Sequence, residues 1–274
     1  MIFKDGCRKS FILLTISLIF VSFPRLVLSN NAQMDYVLIV NSYTESTPWS
    51  RIFTAPIYER MIMGKENINA YTEHMDVMLM KTEEDVEDFS SYLLGKYTKA
   101  PKLIILLGNS SYALLKDRLN EKWGRNLSYL VCVEKDYIVP KEYYLSKKAC
   151  PVPERQDLSD IVRAQKELTI IYVPEYITET VSLMKRSNPN MRRLLFLSDK
   201  RYISAQNQST IQQAIATNFP DVKLELITAG ETQTDELIDI LQNADRQTGI
   251  LYYSWIVLHK QGNKVVLSSD TYRM

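Results

Sequence analysis

The run Tyr36–Val40 constrains the fold most strongly, because it is apolar, rich in β-branched residues and without polar alternation. A strand of this composition is typically buried on both faces, as in a parallel sheet covered by helices. Polar and aromatic residues follow directly, among them Ser42, Tyr43 and Trp49. Ligands bind at the carboxyl ends of strands in open parallel sheets. We therefore expect this segment to supply both a central strand and part of a binding site.

Apolar strands and amphipathic helices alternate along the rest of the chain. Further strands are predicted at residues 76–80, 102–107, 127–133, 168–173, 193–197, 222–228, 249–253 and 264–267. Residues 134–164 lose the pattern, which predicts a long functional loop followed by a short helix. The two runs of alternation predict an α/β fold with two doubly wound, Rossmann-like lobes. An eightfold α/β barrel is the alternative.

Helix boundaries are predicted from capping residues and prolines. Thr82 is expected to cap a helix whose inner face is formed by Val86, Phe89 and Leu93. Pro56 is tolerated only near the start of a helix, so the helix after the first strand is expected to begin near Thr54.

The amino terminus has the features of an export signal. Three basic residues precede an apolar run at residues 11–23, and Val27-Leu28-Ser29 offers small or apolar residues for a signal peptidase. A retained signal anchor is the alternative, since residues 11–28 are about long enough to cross a bilayer. Either interpretation places the remaining chain in the periplasm. We divide the chain into a signal peptide or anchor (1–32), a first lobe (33–165, with the long loop near 134–164) and a second lobe (166–274).

Charge and motif content exclude several classes of function. Lys and Arg total 33 against 32 Asp and Glu, and no long basic run is present, so nucleic acid is not expected as a partner. The sequence contains no G-x-S-x-G elbow, no phosphate-binding loop and no G-x-G-x-x-G after the first strand. No cofactor or metal motif is found, and we expect no catalytic residues.

Two cysteines fall in the predicted exported part of the chain. An oxidising compartment would allow Cys132 and Cys150 to form a disulfide. The alternative is that Cys132, inside the apolar run 129–133, is a buried small hydrophobe.

Four short stretches carry a resemblance to a known family. They are V-L-I-V-N-S-Y with the following Pro48-Trp49, S-D-K-R-Y-I-S-A-Q-N from Ser198, T-A-G-E-T from Thr228, and G-I-L-Y-Y-S-W from Gly249. In order and spacing they resemble the substrate-binding-protein-like sensor regions of bacterial transmembrane histidine kinases, including hybrid two-component sensors of Bacteroides-type bacteria. The resemblance covers most of the predicted exported chain.

The resemblance implies a type I periplasmic-binding-protein fold, in which a ligand binds in the cleft between two lobes and closure is the signal. It also implies a transmembrane helix and a cytoplasmic kinase. This sequence departs from that pattern, since no second apolar span and no kinase motif precede Met274. We therefore expect a truncated product or a fragment of a longer sensor, with the second lobe incomplete.

The expected function is non-catalytic sensing of a small ligand between the lobes. The predicted site residues are Ser42, Tyr43, Trp49, Asn109, Ser110, Asp199, Tyr202 and Trp255. Tyr43 and Trp49 would form stacking walls, and Asp199 would be the charged contact. Helix capping is the alternative role for each polar residue that follows a strand. The ligand class stays open among sugars, amino acids, purines and small aromatic acids, and so does homodimer formation.

Two other classes of protein remain as alternatives. A solute-binding protein of an ABC importer would have the same lobes and cleft. An exported hydrolase would need a nucleophile beside His74 or His259, the two histidines of the chain.

Overall fold

The computed structural model describes residues 35–45, 47–64, 68–261 and 264–269, and it describes side chains in these ranges except at positions 48, 61–63, 258–261 and 264–269. The predicted signal peptide or anchor at 1–32 lies outside the described residues. No helix of the described part combines the length and apolarity needed to cross a bilayer.

Strands and helices alternate through the described chain. In order they are β1 (Tyr36–Asn41), α1 (Pro48–Met63), β2 (Asn69–His74), α2 (Glu83–Lys96), β3 (Leu103–Leu107), α3 (Asn109–Trp123), β4 (Tyr129–Val133), β5 (Tyr137–Ile138), α4 (Lys141–Ser146), a 3₁₀ turn (Val152–Glu154), β6 (Gln156–Asp157), α5 (Leu158–Ala164), β7 (Leu168–Tyr172), α6 (Ile177–Ser187), β8 (Arg193–Ser198), α7 (Tyr202–Asn218), β9 (Lys223–Thr228), α8 (Thr234–Gln242), β10 (Thr248–Tyr252), β11 (Ile256–Gln261) and β12 (Lys264–Ser269).

The first lobe is built on a parallel five-stranded sheet in the order β2-β1-β3-β4-β7. Alternate residues of its strands point to opposite faces. One face packs on α2 and α3 through residues such as Leu38, Leu93 and Leu115. The other face packs on α1, where Ile39 and Ile105 lie in one cluster with Phe53 and Ile57. The sheet is therefore covered by helices on both sides, as predicted from strands that are apolar throughout and show no alternation with polar residues.

The second lobe is built on a parallel three-stranded sheet in the order β10-β8-β9. Leu194 and Phe196 face α6 and α7, whereas Leu195 and Leu197 face α8. β11 and β12 pair with each other as an antiparallel ladder. The α/β class with two open, doubly wound parallel sheets is confirmed, and the barrel alternative is not.

Three boundary predictions are corrected. Residues 76–80 form a turn rather than a strand, and Met75, Val77 and Met80 are buried in the core from that turn. The strand lies earlier, at β2, whose position at the sheet edge leaves most of its residues half-buried and explains its polar sequence.

The helix α1 begins at Pro48 rather than near Thr54 and contains Pro56 in its interior. Pro56 lies on the exposed side of α1, where water can hydrogen-bond to the carbonyl group that lacks an intrahelical donor. The helix α2 begins as predicted: Thr82 accepts a hydrogen bond from the Asp85 N–H, and the Asp85 carboxylate accepts one from the Thr82 N–H.

The change from one sheet to the other falls after Tyr172 rather than at residue 165. β7 pairs with β4 over five residues, from Tyr129 with Leu168 to Val133 with Tyr172, and so completes the first sheet. Apolar strands look alike in sequence whichever sheet they join, which is why β7 was assigned to the second lobe. The predicted loop at 134–164 contains the short helices α4 and α5 and the two-residue ladder of β5 with β6.

Candidate functional site

The two sheets meet at the ends of their strands. In the first sheet, the strand order reverses between β1 and β3, and in the second between β8 and β10. Such a switch point leaves a crevice at the carboxyl ends of the strands, where ligands of open α/β sheets bind. Side chains that follow β1, β4, β8 and β10 take part in contacts across this boundary. We call this region the junction.

At the first switch point, the chain after β3 comes very close to the chain after β1. Ser42, buried, accepts a hydrogen bond at Oγ from the Ser111 N–H (3.0 Å). Gly108 has φ +103°, and a Cβ atom there would lie 2.4 Å from Ser42 Oγ. Glycine is therefore required at this turn for both conformation and space. Ser42, predicted as a ligand contact, instead caps α3.

Asn109 also has a structural role at this point. Its amide nitrogen donates to the carbonyl groups of Lys135 (2.9 Å) and Tyr137 (2.8 Å), and its amide oxygen accepts from the N–H groups of Glu134 and Lys135. These bonds hold the start of α3 against the segment after β4. The Asn109 side chain is therefore committed to positioning that segment rather than free for a ligand.

At the second switch point, Asp199 and Arg201 form a buried ion pair. Arg201 Nε donates to both carboxylate oxygens of Asp199 (3.0 and 2.9 Å), and Ser204 Oγ donates to one of them (2.6 Å). These partners lower the pKa of Asp199 below its ordinary value even though burial acts to raise it. Asp199, predicted as the charged ligand contact, is only 1% exposed and is occupied by Arg201. The positive partner is the group that reaches the other lobe.

Arg201 lies over the ring of Tyr43, with its guanidinium carbon 5.0 Å from the ring centroid. A cation over an aromatic face is attracted by the ring quadrupole, more strongly where water is excluded. Tyr43 is 7% exposed, and burial is the main cause that raises its pKa well above the ordinary value. This contact brings the segment after β1 together with the segment after β8.

A second polar group of contacts crosses the junction. Lys135, after β4, forms an ion pair with Glu175 (2.8 Å) in the segment that leads from β7 to the second lobe. Lys135 Nζ also donates to Asn207 Oδ1 in α7 (2.6 Å), and Asn207 Nδ2 donates to Glu175 (3.0 Å). The Tyr253 hydroxyl donates to the other Glu175 oxygen (2.7 Å). We call these four residues the latch.

The latch is largely shielded from solvent. The side chains of Lys135 and Glu175 are 12% and 18% exposed. Burial, followed by the nearby Glu175 charge, raises the pKa of Tyr253 well above its ordinary value, so its hydroxyl remains a donor. Charge-assisted hydrogen bonds in such surroundings are stronger than those at the surface. The latch therefore favours the closed arrangement of the two lobes.

Glu134 is a buried carboxyl group beside this network. Its side chain is close enough to Glu175 and Arg201 to interact with both charges. Burial, and then the Glu175 charge, raise its pKa from 4.5 to about 7. Glu134 therefore titrates near neutral pH.

Aromatic contacts join α4 to α7 at one side of the junction. The rings of Tyr144 and Tyr202 lie 4.5 Å apart, and both residues are buried. Gln206 Oε1 accepts hydrogen bonds from the hydroxyl groups of Tyr137 (3.2 Å) and Tyr202 (3.3 Å). Tyr202 lies at the junction and packs into the core cluster of the first lobe, and its role as a ligand contact stays a prediction.

A small cavity of about 10 Å³ lies among these groups. It is lined by Tyr43, Val77, Met78, Ser110, Tyr144, Lys147, Arg201 and Tyr202. A space of this size holds about one water molecule. The lobes are thus closed on each other, and a ligand-sized space at the junction requires them to separate.

The two tryptophans predicted as site residues lie away from the cavity. Trp255 is fully buried in the second lobe with Leu197 and Leu237, and its indole N–H donates to Thr234 Oγ1 (3.4 Å). The prediction that Trp255 forms a cleft wall is corrected, because its position after β10 turns it under the sheet. Trp49 is half-buried and packs on Phe53 within the first lobe, with an edge contact to Tyr43.

The disulfide alternative is also corrected, since Cys132 and Cys150 are both free and buried. Cys132 lies in the cluster with Ile105 on one face of the first sheet, whereas Cys150 belongs to the cluster with Tyr144 on the other face. The sheet separates the two thiols. Cys132 is the buried small hydrophobe of the alternative interpretation.

The described histidine and the potential metal ligands form no recognisable centre. His74 Nδ1 lies 3.0 Å from the Tyr43 carbonyl oxygen, to which it donates, and the side chain of His259 is not among those described. Within the described residues, no group of three His, Cys, Asp or Glu side chains could hold a metal ion.

A larger concavity of about 840 Å³ lies at the opposite edge of the first sheet. It is lined by residues at the end of α3 and at the starts of β4 and β7, including Lys116, Glu121, Arg125, Lys166 and Glu167. The charges are of both signs, and the site is open to solvent. We place the candidate site at the junction instead, because within the described part of the chain buried polar groups from both lobes converge only there.

The predicted site residues do not include the four charged residues that carry the contacts at the junction: Glu134, Lys135, Glu175 and Arg201. Glu134, Lys135 and Arg201 lie in stretches that directly follow predicted strands, and their position marks those stretches as candidates without showing which residue makes the contact. Glu175 follows Pro174 after β7, and the assignment of β7 to the wrong lobe concealed it.

No family model and no curated protein matches the chain. It is similar in structure to an ABC domain in complex with L-Trp from Streptococcus pneumonia (TM-score 0.47, 9% identity, 80% of this chain and 65% of that one). It is also similar to a conserved domain protein from Vibrio cholerae O1 biovar El Tor (0.44, 9%, 72% and 57%). A third similar structure is a putative LacI transcriptional regulator from Bacteroides fragilis. Its TM-score is 0.47 at 10% identity, over 76% of this chain and 65% of that one. The chain spans less than two thirds of the length of these structures, and its fold assignment rests on its own sheets.

Proposed function

We propose that this chain is an extracytoplasmic, non-catalytic module that senses a small molecule bound at the junction between its two lobes. The observation that carries the proposal is the meeting of both switch points, with Arg201 of the second lobe on Tyr43 of the first. A doubly wound sheet binds ligands at its switch point, and here two such points share one boundary. The sequence resemblance supports a place in a two-component sensor histidine kinase, facing the periplasm.

The mechanism follows from the latch. In the closed form, Lys135 and Glu175 satisfy each other across the junction, and Asn207 and Tyr253 complete their hydrogen bonding. In an open form, the same polar groups face water. A ligand shifts this equilibrium only by the difference between its affinities for the two forms. Separation and closure of the lobes would then be the signal that passes to an attached domain.

A thermal-shift screen of the full chain tests this proposal. A small molecule that binds the folded state raises its apparent stability by RT ln(1 + [L]/Kd). The proposal expects the Lys135→Met variant, which breaks the latch, to respond differently from the parent to the same molecule. Arg163→Met is the matched control, because it removes an exposed ion pair with Asp160, which is not a member of the latch. Equal responses of parent and Lys135→Met to every stabilising molecule would argue against ligand binding at the junction.

The alternative of a solute-binding protein for an importer shares this site. The gene sequence beyond the codon for Met274 separates the two, because a downstream transmembrane segment and kinase supports the sensor.

A further inference from the structure

Three polar groups at the small cavity have no hydrogen-bond partner among the described residues. Arg201 uses Nε for Asp199, and its two Nη groups make no hydrogen bond. The Ser110 hydroxyl and the Tyr43 hydroxyl are likewise without a partner. All three residues line the cavity, and none is more than 7% exposed. These donors are therefore available to a ligand that reaches the cavity.

The charged side chains that line the cavity are positive, whereas the carboxylates of Asp199 and Glu134 lie near Arg201 outside this lining. Lys147 also lines the cavity, where its ammonium group donates to the carbonyl groups of Val77, Met80 and Tyr144 (2.6 to 2.8 Å). No carboxylate lines the cavity. Asp199 is engaged by Arg201 Nε and does not line the cavity.

The helix α3 adds to the positive potential. Ser110 is the second residue of α3 and lies in its first turn. Backbone N–H groups in a first turn have no intrahelical acceptor, and the helix dipole favours an anion there. The Ser111 N–H is already taken by Ser42 Oγ and the Asn109 N–H by the Glu134 carboxylate, so Ser110 is the first-turn residue that lines the cavity.

From this geometry we infer that the junction binds a ligand through an anionic group, a carboxylate or a phosphate, held by Arg201, Ser110 and Tyr43. A guanidinium group with two free Nη atoms matches the two oxygens of such an anion. The aromatic rings of Tyr43, Tyr144 and Tyr202, which line the same cavity, would contact an apolar body attached to it. This inference rests on the proposed function and names the ligand class of its site.

The anion reaches these donors only when the lobes separate, because the cavity of about 10 Å³ has no room for it in the closed form. Ser110 and Tyr43 belong to the first lobe and Arg201 to the second. An anion bound between them would join the lobes in place of their direct contact. The ligand would therefore favour a partly closed arrangement that includes it.

The test uses the purified full chain in low-chloride buffer and three probes that share a phenyl body: benzoate, phenyl phosphate and benzamide. Titration calorimetry is expected to show benzoate or phenyl phosphate binding at least about tenfold more tightly than benzamide, since hydrogen bonds to charged groups are the stronger ones. The tighter of the two anions identifies the source as a carboxylate or a phosphate.

Variants locate the binding site. Ser110→Ala and Tyr43→Phe each remove a hydroxyl group without a protein partner, so both are expected to fold and to bind the preferred anion about tenfold more weakly. Ser111→Ala is the matched control, because its hydroxyl donates to the Gly108 carbonyl group instead of facing the cavity (2.9 Å), and its affinity is expected to be that of the parent.

Arg201→Lys keeps the positive charge but loses the two Nη groups that can donate side by side to an anion. It is expected to reduce the preference for the anion over benzamide. Equal affinity for benzoate, phenyl phosphate and benzamide would overturn the inference, as would unchanged binding by Ser110→Ala and Tyr43→Phe. A neutral molecule that stabilises the parent but not Lys135→Met would overturn the anion inference while supporting the proposed function. Absence of binding by both anions, at concentrations where other ligands bind, would also overturn it.

Discussion

Replacement of Glu134 by Gln is expected to remove a pH dependence of stability that arises at the junction. The pKa of Glu134 is raised from 4.5 to about 7 by burial and by Glu175. Between these values the folded chain binds a proton that the unfolded chain does not, so its stability falls as the pH rises from about 4.5 to 7. One pKa unit corresponds to about 1.36 kcal/mol, so Glu134 lowers the stability at pH 8 by about 3 kcal/mol relative to pH 4.

The measurement is the free energy of unfolding in urea of the parent and of Glu134→Gln from pH 5 to 8. The variant is expected to gain stability relative to the parent as the pH rises, by about 2 to 3 kcal/mol across this range. Comparison at each pH cancels the contributions of other titrating groups. Glu59→Gln, an exposed carboxylate in α1, is the control and is expected to track the parent. A difference between parent and Glu134→Gln that stays constant over this range would refute the burial argument.

Three further substitutions test individual parts of the fold by urea unfolding at neutral pH. Gly108→Ala is expected to lower the free energy of unfolding by at least about 2 kcal/mol, because the new Cβ would clash with Ser42 Oγ and because φ is positive. Gly124→Ala is its control: φ is also positive there but the space is open, so the loss of stability should be smaller. Thr82→Ala removes the cap of α2 and is expected to cost about 1 kcal/mol, and a null effect would contradict the cap. Leu93 is fully buried in the first lobe, and Leu93→Ala is expected to lower the free energy of unfolding by about 2 to 5 kcal/mol. A loss below about 1 kcal/mol would contradict its core position.

Strands buried on both faces were predictable from sequence because a short run of apolar, β-branched residues bounded by polar residues is typical of such strands. β1, β3 and β8 lie within a residue or so of their predicted positions. β2 was not predictable in this way, since an edge strand is only half-buried and its sequence is polar. The strand predicted at 76–80 is wrong, because a turn there buries Val77 and Met80 as a strand would.

The site was predictable in position but not in its contacts. Tyr43, Ser110 and Tyr202 follow strands, as predicted, and line one cavity. Whether a polar residue after a strand caps a helix or faces a cleft depends on which partner reaches it. Ser42 hydrogen-bonds to the first turn of α3, and Asn109 hydrogen-bonds to the segment after β4. Arg201, in contrast, contacts Tyr43 across the junction. Contacts between residues far apart in the chain leave no periodic pattern in a single sequence, so they could not be predicted from it.

The central claim is that the two lobes move relative to each other when a ligand binds at the junction. Pulsed electron paramagnetic resonance measures this directly, with spin labels on cysteines introduced at Tyr92 in α2 and Leu183 in α6, both more than half exposed. The three native cysteines are replaced in this variant by alanine. We predict that the distance distribution without ligand is that of the latched, closed form, and that it shifts when the preferred anion is added and the lobes separate to admit it. An identical distribution with and without a saturating ligand would contradict it.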